Sequence, residues 1–159
     1  MPSEKPLAVA IAAVIKNGKI LLIKRIKGDY IGLWGLPGGK IEKDEHFQGA
    51  ARREIMEESG IETEFEKYLG LVSEHLVENG IIQHFLLHVS RLDPKTMEIS
   101  NDIEGVLEWF ELDSIGDKKE MIIPSDFLMI EKMAIGEEGN YFECVIEKSG
   151  DSHTLKRFE

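Results

Sequence analysis

Apolar and polar positions along this chain follow two different periods, and the switches between them mark its elements. "LAVAIAAVIKNGKILLIKR" (7–25) holds two apolar, β-branched runs around Asn17-Gly18. Asn-Gly between such runs predicts a tight β-hairpin, because both turn residues must take positive φ. "YLGLVSEHLVENGIIQHFLLHVSRL" (68–92) repeats the arrangement around Asn79-Gly80. A two-residue turn there sets His75 opposite His84 and Leu76 opposite Gln83. Between the hairpins, "IKGDYIGLWGLPGGKIEKDE" reads as loop, with a short strand near Trp34 to Leu36. A helix is predicted from about Glu45 to Ser59, with Gly60 at a left-handed C-terminal position and Ile61 as its apolar contact.

Beyond the second hairpin, "DPKTMEISNDIEG" reads as loop and "VLEWFEL" as strand. "PSDFLMIEKMA" reads as a helix that Ser125 or Asp126 caps. "YFECVIEKSGDSHTLKRFE" forms a closing hairpin around Ser149-Gly150-Asp151. No repeat, low-complexity segment or linker interrupts the 159 residues. The expectation is one α+β domain over 1–159, with a C-terminal helix and hairpin from about 120 and mostly antiparallel or mixed strands.

Composition narrows the setting. The single cysteine, Cys144, cannot form an intramolecular disulfide and points to a reducing compartment. No apolar run approaches the ~20 residues of a membrane span, and "MPSEKP" lacks the layout of a signal peptide. A cytoplasmic protein without a membrane partner is expected. The formal charge of −11 argues against long nucleic acids as partners. A small anionic substrate would need local cations, from basic side chains or from a bound metal.

The predicted helix carries the candidate chemistry. On an ideal wheel, Glu54, Glu57 and Glu58 share an arc of about 100°, interleaved with Ala50, Ala51 and Ile55. A solvated face would place them opposite the apolar stripe. Partly buried carboxylates repel one another unless a cation sits among them, and hard divalent cations take carboxylate oxygens. Arg53 stands four residues before Glu57 and can hold it. A metal site and a surface ion-pair lattice both satisfy the wheel.

The spacing adds a resemblance. Gly39, Glu45, Arg53, Glu54, Ile55, Glu57, Glu58, Gly60 and Ile61 match every specified position of G-x5-E-x7-R-E-U-x-E-E-x-G-U, with U a bulky aliphatic. The stretch resembles the box of the Nudix hydrolases. "WGLPGGKIE" (34–42) looks like the turn before that box, and "EWFELDSI" (108–115) resembles the family's W-x-x-L-D segment. The resemblance implies an α/β/α sandwich with a mixed sheet between helices and the box as loop-helix-loop. It implies Mg²⁺ or Mn²⁺ on Glu54, Glu57 and Glu58, completed by the Gly38 carbonyl, with Arg53 and Glu45 orienting. The implied reaction is metal-dependent hydrolysis of a diphosphate linkage in a small nucleotide, by water attack at phosphorus.

With three glutamates on metal, the family pattern implies a further carboxylate from the loop before "EWFELDSI". Asp102, Glu104 and Glu108 stand there, and Glu104, beside Gly105 where the chain re-enters the sheet, is the choice for base or additional metal ligand. The extra motifs of NADH, ADP-ribose and coenzyme A sub-groups are absent. Mutator-type cleavage of nucleoside triphosphates is favoured over cleavage of ADP-ribose or another nucleotide sugar. A non-catalytic Nudix-fold nucleotide-binding module and an acidic interaction domain are the rival readings, and a homodimer is compatible with all of them. His75, His84 and His88 read as structural, and Tyr30, Trp34, Trp109 and Phe110 as core more than as base-stacking groups. Lys24 and Arg25 either contact phosphate or are solvated strand-end charges. Cys144 reads as a buried strand residue.

Overall fold

The computed structural model describes residues 4–100 and 105–159. In chain order its first strands are β1 (Leu7–Lys16), β2 (Lys19–Lys24), β3 (Trp34–Gly35) and β4 (Gly38–Lys40). Helix α1 (Phe47–Ser59) precedes β5 (Thr63–Glu78), β6 (Ile81–Pro94) and β7 (Val106–Glu111). A 3₁₀ segment (Leu112–Met121) leads to α2 (Pro124–Met129), which widens into a π-helical turn (Ile130–Ile135). β8 (Tyr141–Ser149) and β9 (Ser152–Phe158) close the chain.

β1 is apolar at odd and even positions because helices cover both of its faces. Ala10, Ala12 and Val14 pack with Ala50, Ala51 and Ile55 of α1. Ala13 and Ile15 enter a second core with Phe127 of α2 and Ile130 and Met133 beyond it. Alanines at 10, 12, 50 and 51 let α1 approach the sheet closely. The architecture is the expected α+β arrangement, a mixed sheet between helices. β1 runs parallel to β6, with Leu7 opposite Phe85 and Val14 opposite Leu92. β5 is antiparallel to β6 and parallel to β8.

Both Asn-Gly turns form as predicted, with φ of 51° and 74° at Asn17 and Gly18 and of 51° and 77° at Asn79 and Gly80. The second turn sets His75 opposite His84 and Leu76 opposite Gln83. The first hairpin stays paired only at Ile15↔Ile20 and Lys16↔Lys19. β2 then diverges to pair with β3 and β7. β4 takes the vacated edge of β1, with Ile11 opposite Gly38 and Ala10 opposite Gly39. That parting of β2 from β1 opens a cleft, and it is β4 that carries the two glycines into the cleft's floor.

Three expectations need correction. The glycine-rich stretch read as loop contains β4, held by pairing with β1 rather than by its own propensity. α1 starts at Phe47, two residues after the expected start at about Glu45, because His46 before it is extended. Neither Ser125 nor Asp126 caps α2: Pro124 is its first residue and both lie inside the first turn. The Asp126 carboxylate instead accepts from the Leu36 amide at 2.8 Å.

Candidate active site

α1 buries Ala50, Ala51 and Ile55 completely, and this fixes the azimuth of the glutamates beside them. Its C-terminus is locked by Gly60 in the left-handed region at φ 75°, whose amide donates to the Met56 carbonyl. Glu54 and Glu58 are thereby turned under β4. A Cβ on Gly39 would lie 2.3 Å from Glu54 Oε1, so the carboxylate rests where only glycine leaves room. Glu58 accepts from the Gly38 amide and shares a hydrogen bond with Glu54. Burial, then the bond to Glu54 and that neighbour's charge, raises the Glu58 pKa well above the usual carboxylate range. Its Oε2 is buried without a hydrogen-bond partner.

Arg53 organises the outer side of the cluster. It grips Glu45 with two nitrogens at 2.6 and 3.0 Å. Its Nη1 reaches Glu54 at 2.9 Å and Glu57 at 3.2 Å, and Nη2 donates to the Lys40 carbonyl at 3.2 Å. A two-pronged guanidinium–carboxylate contact is geometrically specific as well as strong. The Arg53 bonds, then the Glu42 amide, push the Glu45 carboxyl down to about 2. One cation thus ties the loop before α1, β4 and two glutamates together.

The structure brings Gly38, Arg53, Glu54 and Glu58 together, but Glu57 stands apart. Its side chain is 58% exposed and turned to Arg53. Among the described residues no three Asp, Glu, His or Cys side chains are gathered tightly enough to hold a metal ion. Glu57 leans on Arg53, and burial raises the pKa of Glu58. The donor set nevertheless fits a hard divalent cation. It contains only oxygens, Glu58 Oε2 lacks a partner, and the Gly39 face has no side chain to obstruct an ion. Glu104 and Asp102 lie outside the described residues, and Glu108 is exposed on β7.

The cleft in front of these glutamates has a volume of about 520 Å³. Glu57, Glu58 and Gly38 line it together with Lys24, Arg25, Lys27 and Gly105. A second cavity of about 280 Å³ lies beyond and shares Arg25, Leu36 and Gly38 with the first. Tyr30, Glu74 and Asp126, with Arg25, Asp29, Lys40 and Ser125, supply its polar groups. Sequence reasoning missed this cavity. Asp126 was read as a helix cap, and Glu74 sits in the same alternating row of β5 as the buried Val72 and Leu76. A lone carboxylate in an apolar row was the signal available.

The remaining candidates are structural. Trp34 and Phe110 pack edge-on in the core with centroids 5.1 Å apart, and the Trp109 indole donates to the Met97 carbonyl. His84 pairs with the Ser73 hydroxyl at 2.8 Å, and His88 with Tyr68 at 3.1 Å. Cys144 is buried, and burial with the nearby Glu74 raises its thiol pKa.

The raised pKa of Glu58 makes a stability prediction. The folded state holds this proton more tightly than the unfolded chain does. Its contribution is therefore full at low pH and is lost as pH rises above the ordinary value of 4.5 through the raised one. In EDTA, Glu58→Gln should match or exceed wild type in melting temperature, with the largest gain at high pH. Melting curves from about pH 5 to 9 check this. A Glu58→Gln protein that melts several degrees lower throughout would contradict it.

Comparison with known proteins agrees with this geometry. A family model described as NUDIX domain matches residues 5–132. The oxidized purine nucleoside triphosphate hydrolase of Danio rerio is 29% identical over 107 residues, covering 67% of each chain. The CTP pyrophosphohydrolase of Escherichia coli (strain K12) is 42% identical over 66 residues, 41% of this chain and 49% of that protein. The crystal structure of a MutT Nudix hydrolase from Burkholderia pseudomallei superimposes with a TM-score of 0.57 at 35% identity, covering 69% of this chain and 86% of that one. The chain thus spans between about half and two thirds of these two curated relatives. Among the described residues no helix is long and apolar enough to cross a membrane. With the complete box folded into a glycine-floored carboxylate cluster and a family match over most of its length, the chain belongs to the Nudix hydrolase family.

Proposed function

We propose that the protein hydrolyses a nucleoside triphosphate to the nucleoside monophosphate and inorganic diphosphate. The observation that carries this reading is the cleft itself, which Glu57 and Glu58 line together with Lys24 and Arg25. An anionic chain entering there meets fixed cations, which answers the repulsion expected from a net charge of −11. Bound by Glu54, Glu57, Glu58 and the Gly38 carbonyl, Mg²⁺ or Mn²⁺ would neutralise the diphosphate and acidify a water. Arg53 holds the Glu54 and Glu57 carboxylates beside the cleft, and Arg25 would hold the phosphates within it. Water oxygen attacks phosphorus, the bridging P–O bond breaks, and diphosphate leaves. The two relatives named above act on nucleoside triphosphates, as their names state, which supports triphosphates over nucleotide sugars.

Glu104 is the residue proposed to take the water's proton. Its neighbour Gly105 lines the cleft together with Glu57 and Glu58. The test is a panel of nucleoside triphosphates and ADP-ribose with Mg²⁺, scored for monophosphate and diphosphate. Tight nucleotide binding without product would replace catalysis by a sensing role. Glu104→Gln should lower kcat by about 10²-fold or more with KM little changed. A normal rate in Glu104→Gln with a large loss in Asp102→Asn would transfer the role to Asp102.

A further inference from the structure

The segment 25–33, which joins β2 to β3, brings Arg25 to the cleft and is closed at its base by that residue's own backbone. The Arg25 amide donates to the Leu33 carbonyl at 2.8 Å, and the Arg25 carbonyl accepts from the Gly32 amide at 2.8 Å. The Arg25 side chain lies against the same segment, with Nε donating to the Asp29 carbonyl at 3.3 Å. A Cβ on Gly28 would meet Arg25 Nη2 at 3.4 Å. The placement of Arg25 and the conformation of the segment are therefore one property. Among the described residues Arg25 pairs with no carboxylate, so its charge stays open to an anion.

That conformation needs outside support. Gly28, Tyr30 and Gly32 all take positive φ, at 77°, 61° and 91°. Tyr30 does so although it carries a side chain, and such a state persists only where the surroundings enforce it. Ile26 and Ile31 are 58% and 67% exposed, so their burial does not pin the segment.

The support comes from β8 and β9, beyond residue 132, where the family match ends. Lys148 of β8 and His153 of β9 stand opposite each other in the hairpin, so their side chains leave the same face. Lys148 Nζ lies 2.8 Å from Asp29 Oδ1, and His153 Nε2 lies 3.2 Å from the same oxygen. A carboxylate only accepts, so Nε2 carries the hydrogen. The His153 ring also packs on Tyr30, with centroids 4.0 Å apart. Lys148 is further tied to the central sheet by Glu78 of β5, at 4.0 Å. Burial alone would raise the Asp29 carboxyl, but the bonds from Lys148 and then His153 outweigh it and hold the carboxyl below its ordinary value. Asp29 is thus a charged acceptor between two donors, and bonds of this kind are roughly twice as strong as neutral ones.

We propose that Lys148 and His153 are positioning residues for phosphate recognition: acting through Asp29, they hold segment 25–33 so that Arg25 faces the cleft. The proposal rests on the phosphate reading of the cleft given above and gives the C-terminal hairpin a part in the same site. A guanidinium held in place beforehand loses little freedom when an anion arrives, whereas one on a loose segment must be ordered at the cost of affinity.

The probe is inorganic diphosphate with Mg²⁺, measured by calorimetry on the full chain, so that no turnover is needed. Asp29→Ala should weaken binding by about tenfold or more, the scale of a lost charged hydrogen bond. Lys148→Met combined with His153→Gln should do the same, which keeps the test available if Asp29→Ala does not fold. Lys148→Arg retains the charge opposite Asp29 and should stay within about threefold of wild type. In an Arg25→Gln chain, Asp29→Ala or the hairpin pair should cost less than about twofold more, because the residue they act through is already gone. A hairpin that merely supports the fold would lower the melting temperature and weaken binding by the same factor in both backgrounds. Losses that multiply in this way, unchanged affinity in Asp29→Ala, or a wild-type protein that does not bind diphosphate each overturn the proposal. The expected coupling in a protein that hydrolyses no nucleoside triphosphate would sink the proposed reaction and leave the anchor standing. Hydrolysis of triphosphates with full diphosphate affinity in Asp29→Ala would do the reverse.

Discussion

Glu57→Gln and Glu58→Gln are each expected to lower kcat by at least about 10²-fold with Mg²⁺ present, with the fold retained. Both side chains line the cleft, and neither contributes to the core beneath α1. Gln keeps the shape and one acceptor oxygen but removes the negative charge that a divalent cation needs. Glu57 leans on Arg53 with most of its side chain in solvent, so it is free to rotate toward an ion. Glu58 Oε2 lacks a partner and is open to an ion, whose charge would release the proton from this carboxyl, a step that Gln cannot make. EDTA should abolish turnover and Mg²⁺ or Mn²⁺ should restore it. Near-normal turnover in both variants, measured on folded protein, would reject the metal site.

The second large effect separates two adjacent glycines. A Cβ at Gly38 would lie 2.1 Å from the Ala10 carbonyl oxygen and 3.0 Å from Ile11 Cα, both backbone atoms of a buried strand. Gly38→Ala must push β4 off β1, and a destabilisation of about 3 kcal/mol or more is expected, read by denaturant unfolding. At Gly39 the nearest atoms belong to the Glu54 carboxylate, within 2.3 to 2.7 Å. That group ends a flexible side chain, so Gly39→Ala should change stability by less than about 1 kcal/mol. It should still lower activity by about 10²-fold, because the carboxylate must leave its place beside Glu58 and Arg53. A fully active Gly39→Ala would mean that the observed seat of Glu54 is not used. Wild-type stability in Gly38→Ala would mean that β4 is not pinned to β1.

Several features were legible in the residues alone because local geometry decides them. Asn17-Gly18 and Asn79-Gly80 require positive φ, and a two-residue turn then dictates cross-strand partners as far away as His75 and His84. Gly60 ends α1 for the same conformational reason. Helical spacing alone places Glu54 and Glu58 on one side of α1 and Arg53 within reach of Glu57. The apolar run of β1 announced a strand covered on both faces.

What required the tertiary structure was every feature whose partner lies far away in sequence. β4 exists because the edge of β1 is vacant, and α1 begins only after His46, whose backbone is extended. Asp126 looked like a cap until the fold brought the Leu36 amide to it from 90 residues away. The wheel placed three glutamates on one arc, yet in the fold Glu57 leans on Arg53 while burial raises the pKa of Glu58. The cavity joining Tyr30, Glu74 and Asp126 draws on a loop, a strand and a helix, none of which signals it alone. Local conformational preference is written residue by residue, whereas desolvation and charge pairing are set only when distant segments meet.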